Sequence, residues 1–315
     1  MHWPNSGSYE APLQGGSSMS LSLWLQHAFP PHAWLNFWIA ASKIYSENVL
    51  LAVLPIIYWV ADRRFARYFT TLFLGQMWLN VCFKGMVNTR RPPQAGWLAD
   101  VDTGGNFGFP SGHAQGSAAA FTALGRRIRR RWFTALAVLG MFLVGVSRLY
   151  LGVHWPQDVL GGWAIGLALA YGLAALWPAL AAGVERIPFG PRLGLALVTP
   201  ALMLWLWQVT PVIARAGITD QYPALGALAG IWFGTLLEER HVGFDPAGSL
   251  LWQAAKCVAG IVLVLAVRYG LKPLLPAGDW FIFLRYVAVG VTVSLLAPWL
   301  FTRLPRRRSA GRSAA

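Results

Sequence analysis

The chain has 315 residues, of which 56% are hydrophobic and only 12% charged. A soluble domain averages roughly 25% charged residues, so this composition excludes an ordinary water-soluble globule and fits a membrane helix bundle. The formal charge of +14 does not mark a nucleic-acid partner, because the cations sit in short clusters between apolar runs instead of on one solvated face.

Residues 1–31 are polar and Gly/Ser-rich in their first half and read as a disordered N-terminal tail. They lack the basic and apolar regions of a signal peptide. The stretch HAWLNFWIAASKI, residues 32–44, is too short to span a bilayer. It is expected to lie along the interface or to extend the first spanning helix. About nine transmembrane helices are then expected, over residues 46–60, 65–87, 110–125, 131–150, 155–180, 191–209, 222–238, 250–271 and 279–301. The fold class is therefore all-α, a polytopic membrane helix bundle. Residues 32–182 form the expected membrane-embedded core. Residues 183–304 add further helices to which the sequence assigns no role, and 305–315 form a basic cytoplasmic tail.

Orientation follows from the arginines. Alternate loops carry DRRFAR (62–67), RRIRRR (126–131), Arg186 with Arg192, Arg240, and RLPRRR (303–308). The positive-inside rule places these loops, and the C-terminus, in the cytoplasm. Arg90, Arg91 and Arg148 fall on the other side, where cations need a separate reason. Tryptophans near helix ends read as interface anchors. Glu238, Glu239, Arg240 and His241 read as a charged cytoplasmic helix end. Lys256 and Arg268 read as snorkelling side chains. Cys82 and Cys257 lie in apolar stretches and read as buried small side chains, with no disulfide or metal spacing.

Three clusters on the outer side carry chemistry. In KGMVNTRRP, Lys84 and Arg91 share a face if the helix continues for two turns, and Pro92 ends that helix. In FPSGHAQGSAAA, Ser111 can cap the next helix and Gly112 lets an anion approach its backbone. His113 sits in the first turn there. In SRLYLGVHWPQD, Arg148 ends one helix, Pro156 suits the first turn of the next, and Asp158 follows His154 by four residues. Such an Asp can accept the His154 Nδ1–H and leave Nε2 as a nucleophile. Three cations, a helix N-terminus and two histidines suit a multiply charged tetrahedral oxyanion, that is, a phosphate ester.

These clusters resemble the signature motifs of the type 2 phosphatidic acid phosphatase superfamily, which also includes glucose-6-phosphatase and vanadium haloperoxidases. The family patterns are a lysine six residues before Arg-Pro, then Pro-Ser-Gly-His, then Ser-Arg, five residues, His, three residues, Asp. Lys84 with Arg91-Pro92, Pro110-Ser111-Gly112-His113, and Ser147-Arg148 with His154 and Asp158 match every specified position in order. The resemblance covers residues 46–180 and says less about 190–305.

The resemblance implies that His154 attacks phosphorus and forms a phosphohistidine while Asp158 orients it. It implies that His113 protonates the leaving oxygen and then activates water. Lys84, Arg91, Ser111, Gly112 and Arg148 would bind the phosphate oxygens, with no metal or cofactor. The expected substrate is a lipid phosphate monoester or pyrophosphate presented by the bilayer. Gly104, Gly105 and Gly108 would let the 91–110 segment flex over a headgroup. A lipid phosphotransferase using the same intermediate, and a non-catalytic lipid-phosphate binding or transport protein, are the alternative readings. A haloperoxidase-like vanadate site sits poorly with a membrane-embedded pocket. A bacterial plasma membrane, with the site facing the periplasm or exterior, is the expected location.

Overall fold

The computed structural model describes residues 17–45, 47–99, 107–214 and 221–304. The regular elements are helical: α1 Ser17–Ala28, α2 Pro31–Lys43, α3 Glu47–Val60, α4 Arg63–Val87, α5 Gly112–Ile128, α6 Arg131–Tyr150 and α7 Pro156–Glu185. The second half adds α8 Phe189–Val209, the short α9 Pro211–Ala214, α10 Gln221–His241, α11 Leu250–Gly270, α12 Asp279–Val291 and α13 Ala297–Arg303.

Local chemistry sets several of these ends. Asp62 caps α4 by accepting from the Phe65 N–H at 2.9 Å, and Ser249 caps α11 through the Trp252 N–H at 3.2 Å. Asn88 closes α4 and Arg129 closes α5 in the left-handed region, with φ of 54° and 53°. The charged end of α10 pairs with the start of α4, Arg63–Glu238 at 3.4 Å and Arg67–Glu239 at 3.1 Å.

Five helical stretches are long and apolar enough to cross a membrane: 131–150, 156–185, 189–209, 250–270 and 279–303. The protein is a multi-pass membrane protein. The remaining expected spans are helical too but are shorter or more polar. α4 explains why: it buries Gln76, Asn80 and Lys84 against neighbouring helices, and a helix enclosed by protein need not be apolar all round.

In the first half α5 packs against α4, α6 and α7. Its interior face is small, with Ala114, Ala118, Ala119, Ala120 and Ala123 buried. α7 answers with Gly162 and Gly166. A Cβ on Gly162 would lie 2.8 Å from the Ser111 carbonyl oxygen, so glycine is what lets α7 meet the α5 backbone. That contact brings the start of α7 beside the start of α5. In the second half α10 packs against α12, α8 and α4, and α11 lies against α3.

The structure corrects two readings of the sequence, the tail over 17–28 and the snorkelling of Lys256, and refines two others. Residues 17–28, assigned to a tail, form α1; its Leu25 is buried with Trp38 and Tyr150, and Gln26 Nε2 donates to the Tyr150 carbonyl at 3.0 Å. Residues 1–16 and 305–315 lie outside the described residues. The 32–44 stretch is a separate helix, α2, packed on α6. The last expected span is one helical stretch, 279–303, that carries a π-type turn over Thr292–Leu296. Lys256 does not snorkel. It is 1% exposed and donates to the carbonyls of Pro246 at 2.7 Å and Trp59 at 3.1 Å.

Lys256 thereby ties α11 to α3 and to the loop after α10. Lys256→Met should leave both acceptors short of a donor, at about 1–3 kcal/mol per buried group. A lowered unfolding midpoint in detergent is expected, and an unchanged midpoint would contradict this role.

Candidate active site

The site begins where α4 ends. Asn88 N–H bonds to the Lys84 carbonyl at 3.0 Å, and the chain then leaves the helix. The outgoing strand of backbone pairs with the one entering α5. Gly108 N–H donates to the Thr89 carbonyl at 2.8 Å, Phe109 N–H to Thr89 Oγ1 at 2.9 Å, and Arg90 bridges Phe107. Lys84 and Arg91 therefore do not share a helix face as the spacing had allowed, because α4 stops at Val87. Lys84 projects from the last turn, 2% exposed, and its Nζ donates to the carbonyls of Phe107 at 2.7 Å and Gly108 at 3.3 Å. Arg91 reaches the site from the loop.

Ser111 is the N-cap of α5, its Oγ accepting from the Ala114 N–H at 3.4 Å. It is fully buried. The turn ahead of it holds a cis Phe109–Pro110 peptide. Asn80 fixes that turn by donating to the Pro110 carbonyl at 3.3 Å and to Gln115 Oε1 at 2.9 Å. Gly112 and half-buried His113 make up the first turn, where backbone N–H groups point outward along the positive helix end.

α6 delivers Arg148 in its last turn, 1% exposed, with Nη1 donating to Ser42 Oγ at 2.7 Å. After α6, the loop 151–155 carries His154, 1% exposed. Its Nδ1 lies 3.3 Å from Asp158 Oδ2, and the same oxygen accepts the Trp155 N–H at 2.9 Å. Arg91 Nη1 lies 2.8 Å from His154 Nε2 and donates to the Val153 carbonyl at 3.0 Å. A guanidinium has only donors, so Nε2 must be the acceptor in that pair. The ring proton is then on Nδ1, directed at Asp158, and the Nε2 lone pair faces Arg91.

Asp158 is held tightly. Its backbone carbonyl accepts from the Ser111 N–H at 2.9 Å, tying the second motif to the third. A Cβ on Gly108 would stand 2.7 Å from its Oδ2, so only glycine fits there. Its Oδ1 is buried with no hydrogen-bond partner among the described residues.

All eight expected site residues therefore converge on one end of the bundle. Arg91, His154 and Asp158 touch, and Ser111 joins through its backbone. Gly112 abuts Asn80, its Cβ position 3.2 Å from Asn80 Oδ1. Burial, and then the charges of Arg91, Lys84, Arg148 and His113, hold His154 well below the usual imidazole range. The two histidines and three cations are thus within electrostatic reach of each other. Gly104 and Gly105, part of the expected flexible cover, lie outside the described residues.

The lowered value for His154 has a sign that can be checked. A depressed imidazole stays neutral as pH falls through 6.5, so acid should not remove the nucleophile there. The kcat/KM for phosphate release should therefore hold or rise between pH 8 and 6. A steep acid-side loss centred near 6.5 would contradict it.

Sequence reasoning missed Ser42, Tyr45, Gln76, Asn80 and Gln115, which support the site. Asn80 had a signal, since it stands one turn before Lys84 on the same helix face. Ser42 and Tyr45 had none, because Ser42 lay in a stretch that looked interfacial and Tyr45 just beyond it.

Two family models match the chain. The PAP2 superfamily model matches residues 52–181, and the model described as PAP2 superfamily phosphatase, transmembrane extension, matches 222–311. Among curated relatives, the lipid A 4'-phosphatase of Bacteroides thetaiotaomicron is 44% identical over 70 residues, 22% of this chain. The match spans only 31% of that relative's length. Human sphingosine-1-phosphate phosphatase 2 is 24% identical over 299 residues, covering 84% of this chain and 71% of the relative. A crystal structure of a transmembrane PAP2 type phosphatidylglycerolphosphate phosphatase from Bacillus subtilis is similar at a TM-score of 0.45 and 24% identity. It covers 51% of this chain and 85% of that one. With one model falling on the helices that carry the three motifs and the other on the helices beyond them, the chain belongs to the PAP2 superfamily.

Proposed function

We propose that this protein hydrolyses a lipid phosphate monoester or pyrophosphate through a phosphohistidine on His154, without a metal ion. One observation carries the reading: His154 Nδ1 stands 3.3 Å from Asp158 Oδ2 and Nε2 stands 2.8 Å from Arg91 Nη1, a geometry that suits a proton on Nδ1 and a lone pair on Nε2. Binding alone would not need an imidazole oriented in this way.

In the first step the Nε2 lone pair attacks phosphorus and the ester P–O bond breaks. Arg91 releases Nε2 and passes its N–H groups to the phosphoryl oxygens. Lys84, Arg148, Ser111 and the Gly112 N–H hold the same oxygens and stabilise their charge in the transition state. His113 gives its proton to the departing lipid oxygen. Asp158 stabilises the positive charge that develops on the His154 ring. In the second step His113 takes a proton from water, whose oxygen attacks phosphorus. The P–N bond breaks, inorganic phosphate leaves and neutral His154 is restored.

The bilayer supplies the substrate class. The relatives' names specify phosphate on lipid A and on sphingosine, both lipids. About nine spans, with the N-terminus outside, put the catalytic end of α5 on the periplasmic or exterior face of a bacterial inner membrane. In support, the basic residues Arg126 and Arg127 lie in the last turn of that helix and Ser111 caps its first. No nucleic-acid partner is expected.

The test is phosphate release from phosphatidate, phosphatidylglycerol phosphate, a sphingoid phosphate and undecaprenyl pyrophosphate, side by side in mixed micelles. At least one should release phosphate, with EDTA leaving the rate unchanged. Release from none of them would overturn the reading. Transfer of the phosphoryl group to an added lipid acceptor in place of water would replace hydrolysis with the phosphotransferase reading.

A further inference from the structure

Helix α2 lies outside both family-model matches, yet its C-terminal end faces the catalytic cluster. We propose that α2 and the turn after it supply two positioning residues, Ser42 for Arg148 and Tyr45 for His113. The proposal rests on the phosphatase reading above.

Ser42 is 4% exposed and its Oγ accepts from Arg148 Nη1 at 2.7 Å. A buried guanidinium must be hydrogen-bonded to keep one orientation. A carboxylate in this place would fix Arg148 but cancel its charge. A neutral hydroxyl fixes it without itself cancelling that charge.

Tyr45, just past the helix, is 7% exposed and stands edge-on to the His113 ring, with centroids 6.0 Å apart and planes at 67°. Its hydroxyl accepts from Gln76 Nε2 at 2.9 Å. Gln76 in turn takes the Gln115 amide, through its carbonyl at 3.0 Å and its Oε1 at 3.1 Å. Gln115 is also the residue that holds Asn80 and, through it, the Pro110–Ser111 turn. Gly116 faces the Tyr45 hydroxyl so closely that any Cβ would collide with it. The ring is therefore wedged between α2, α4 and α5, with one edge against the imidazole proposed as general acid. Two contacts from one short segment reach two different site residues.

The experiment compares Ser42→Ala, Ser42→Thr, Tyr45→Leu and Tyr45→Phe with wild type, with Trp34→Ala on the exposed face of α2 as a control. Ser42→Ala should raise the Ki for orthovanadate and lower kcat, each by roughly tenfold, the size of a lost hydrogen bond to a charged group. Ser42→Thr, which keeps the hydroxyl, should restore most of both. Should Ser42→Ala fail to fold, Ser42→Cys removes the strong acceptor at nearly constant volume and is read in the same way. Tyr45→Leu should lose more rate on a lipid alkyl phosphate than on a nitrophenyl phosphate, whose leaving group needs little protonation. Tyr45→Phe, which keeps the ring, should not show that difference. If wild type turns over and Ser42→Ala keeps the wild-type vanadate Ki, the Ser42 role is wrong. Equal loss on both leaving groups in Tyr45→Leu removes the Tyr45 role. A wild-type protein that releases phosphate from no substrate would instead overturn the phosphatase reading.

Discussion

His154→Ala should lower phosphate release by roughly a thousandfold or more, to about 0.1% of wild type or less. The substitution removes the atom proposed to form the covalent bond, and no other imidazole can take its place. His113 belongs to α5, its ring is flanked by Tyr45, and its proposed task is at the leaving oxygen. The variant should elute from gel filtration as wild type does, because the cavity it leaves is small. Phosphate-release assays on matched amounts of folded protein check the outcome. Turnover above a few per cent would remove His154 from the nucleophile role.

Asp158 gives the second large effect, and its geometry sets an order among substitutions. Both His154 Nδ1 and the Trp155 N–H converge on Oδ2, while Oδ1 has no hydrogen-bond partner among the described residues. Asp158→Ala loses the one oxygen that accepts both hydrogen bonds, and the charge, so the ring is free to take the wrong tautomer. A fall of about 10⁴ in kcat is expected, the scale seen when a triad histidine loses its tautomer. Asp158→Asn can place its carbonyl oxygen where Oδ2 stands, keeping both hydrogen bonds and losing only the charge. Its kcat should lie about tenfold to a hundredfold above that of the alanine variant, the scale of a retained hydrogen bond to a charged group. Steady-state rates on one lipid phosphate check the order. Equal rates for the two variants would contradict the convergence on one oxygen.

The sequence exposed the helices well, because long apolar runs separated by arginine clusters leave few alternatives. Every expected span is helical, with ends shifted by a few residues, as at 110–125 against Gly112–Ile128. The three motifs were equally legible, since Ser111 as a cap, Pro156 in a first turn and a His–Asp pair four residues apart are local arrangements. What local pattern could not supply was tertiary contact. α1 looked polar because serines and a histidine interrupt its apolar residues, yet Leu25 is covered by Trp38 and Tyr150. Lys256 looked like a snorkelling lysine until its carbonyl partners, Trp59 from α3 and Pro246 from a loop, were in place. The Lys84–Arg91 spacing suited a continuing helix, but Asn88 takes the left-handed turn and ends it. Ser42 meets Arg148 across 106 residues of chain, a distance no motif spans.

The central claim is a covalent bond between phosphorus and His154 Nε2. It is tested by mixing enzyme with a lipid phosphate, quenching in alkali, which preserves a phosphoimidazole, and locating the added phosphate by peptide mass spectrometry. Phosphate on the peptide carrying His154 in wild type, and its absence in His154→Ala, is the predicted result. Phosphate on a different residue during turnover would contradict it.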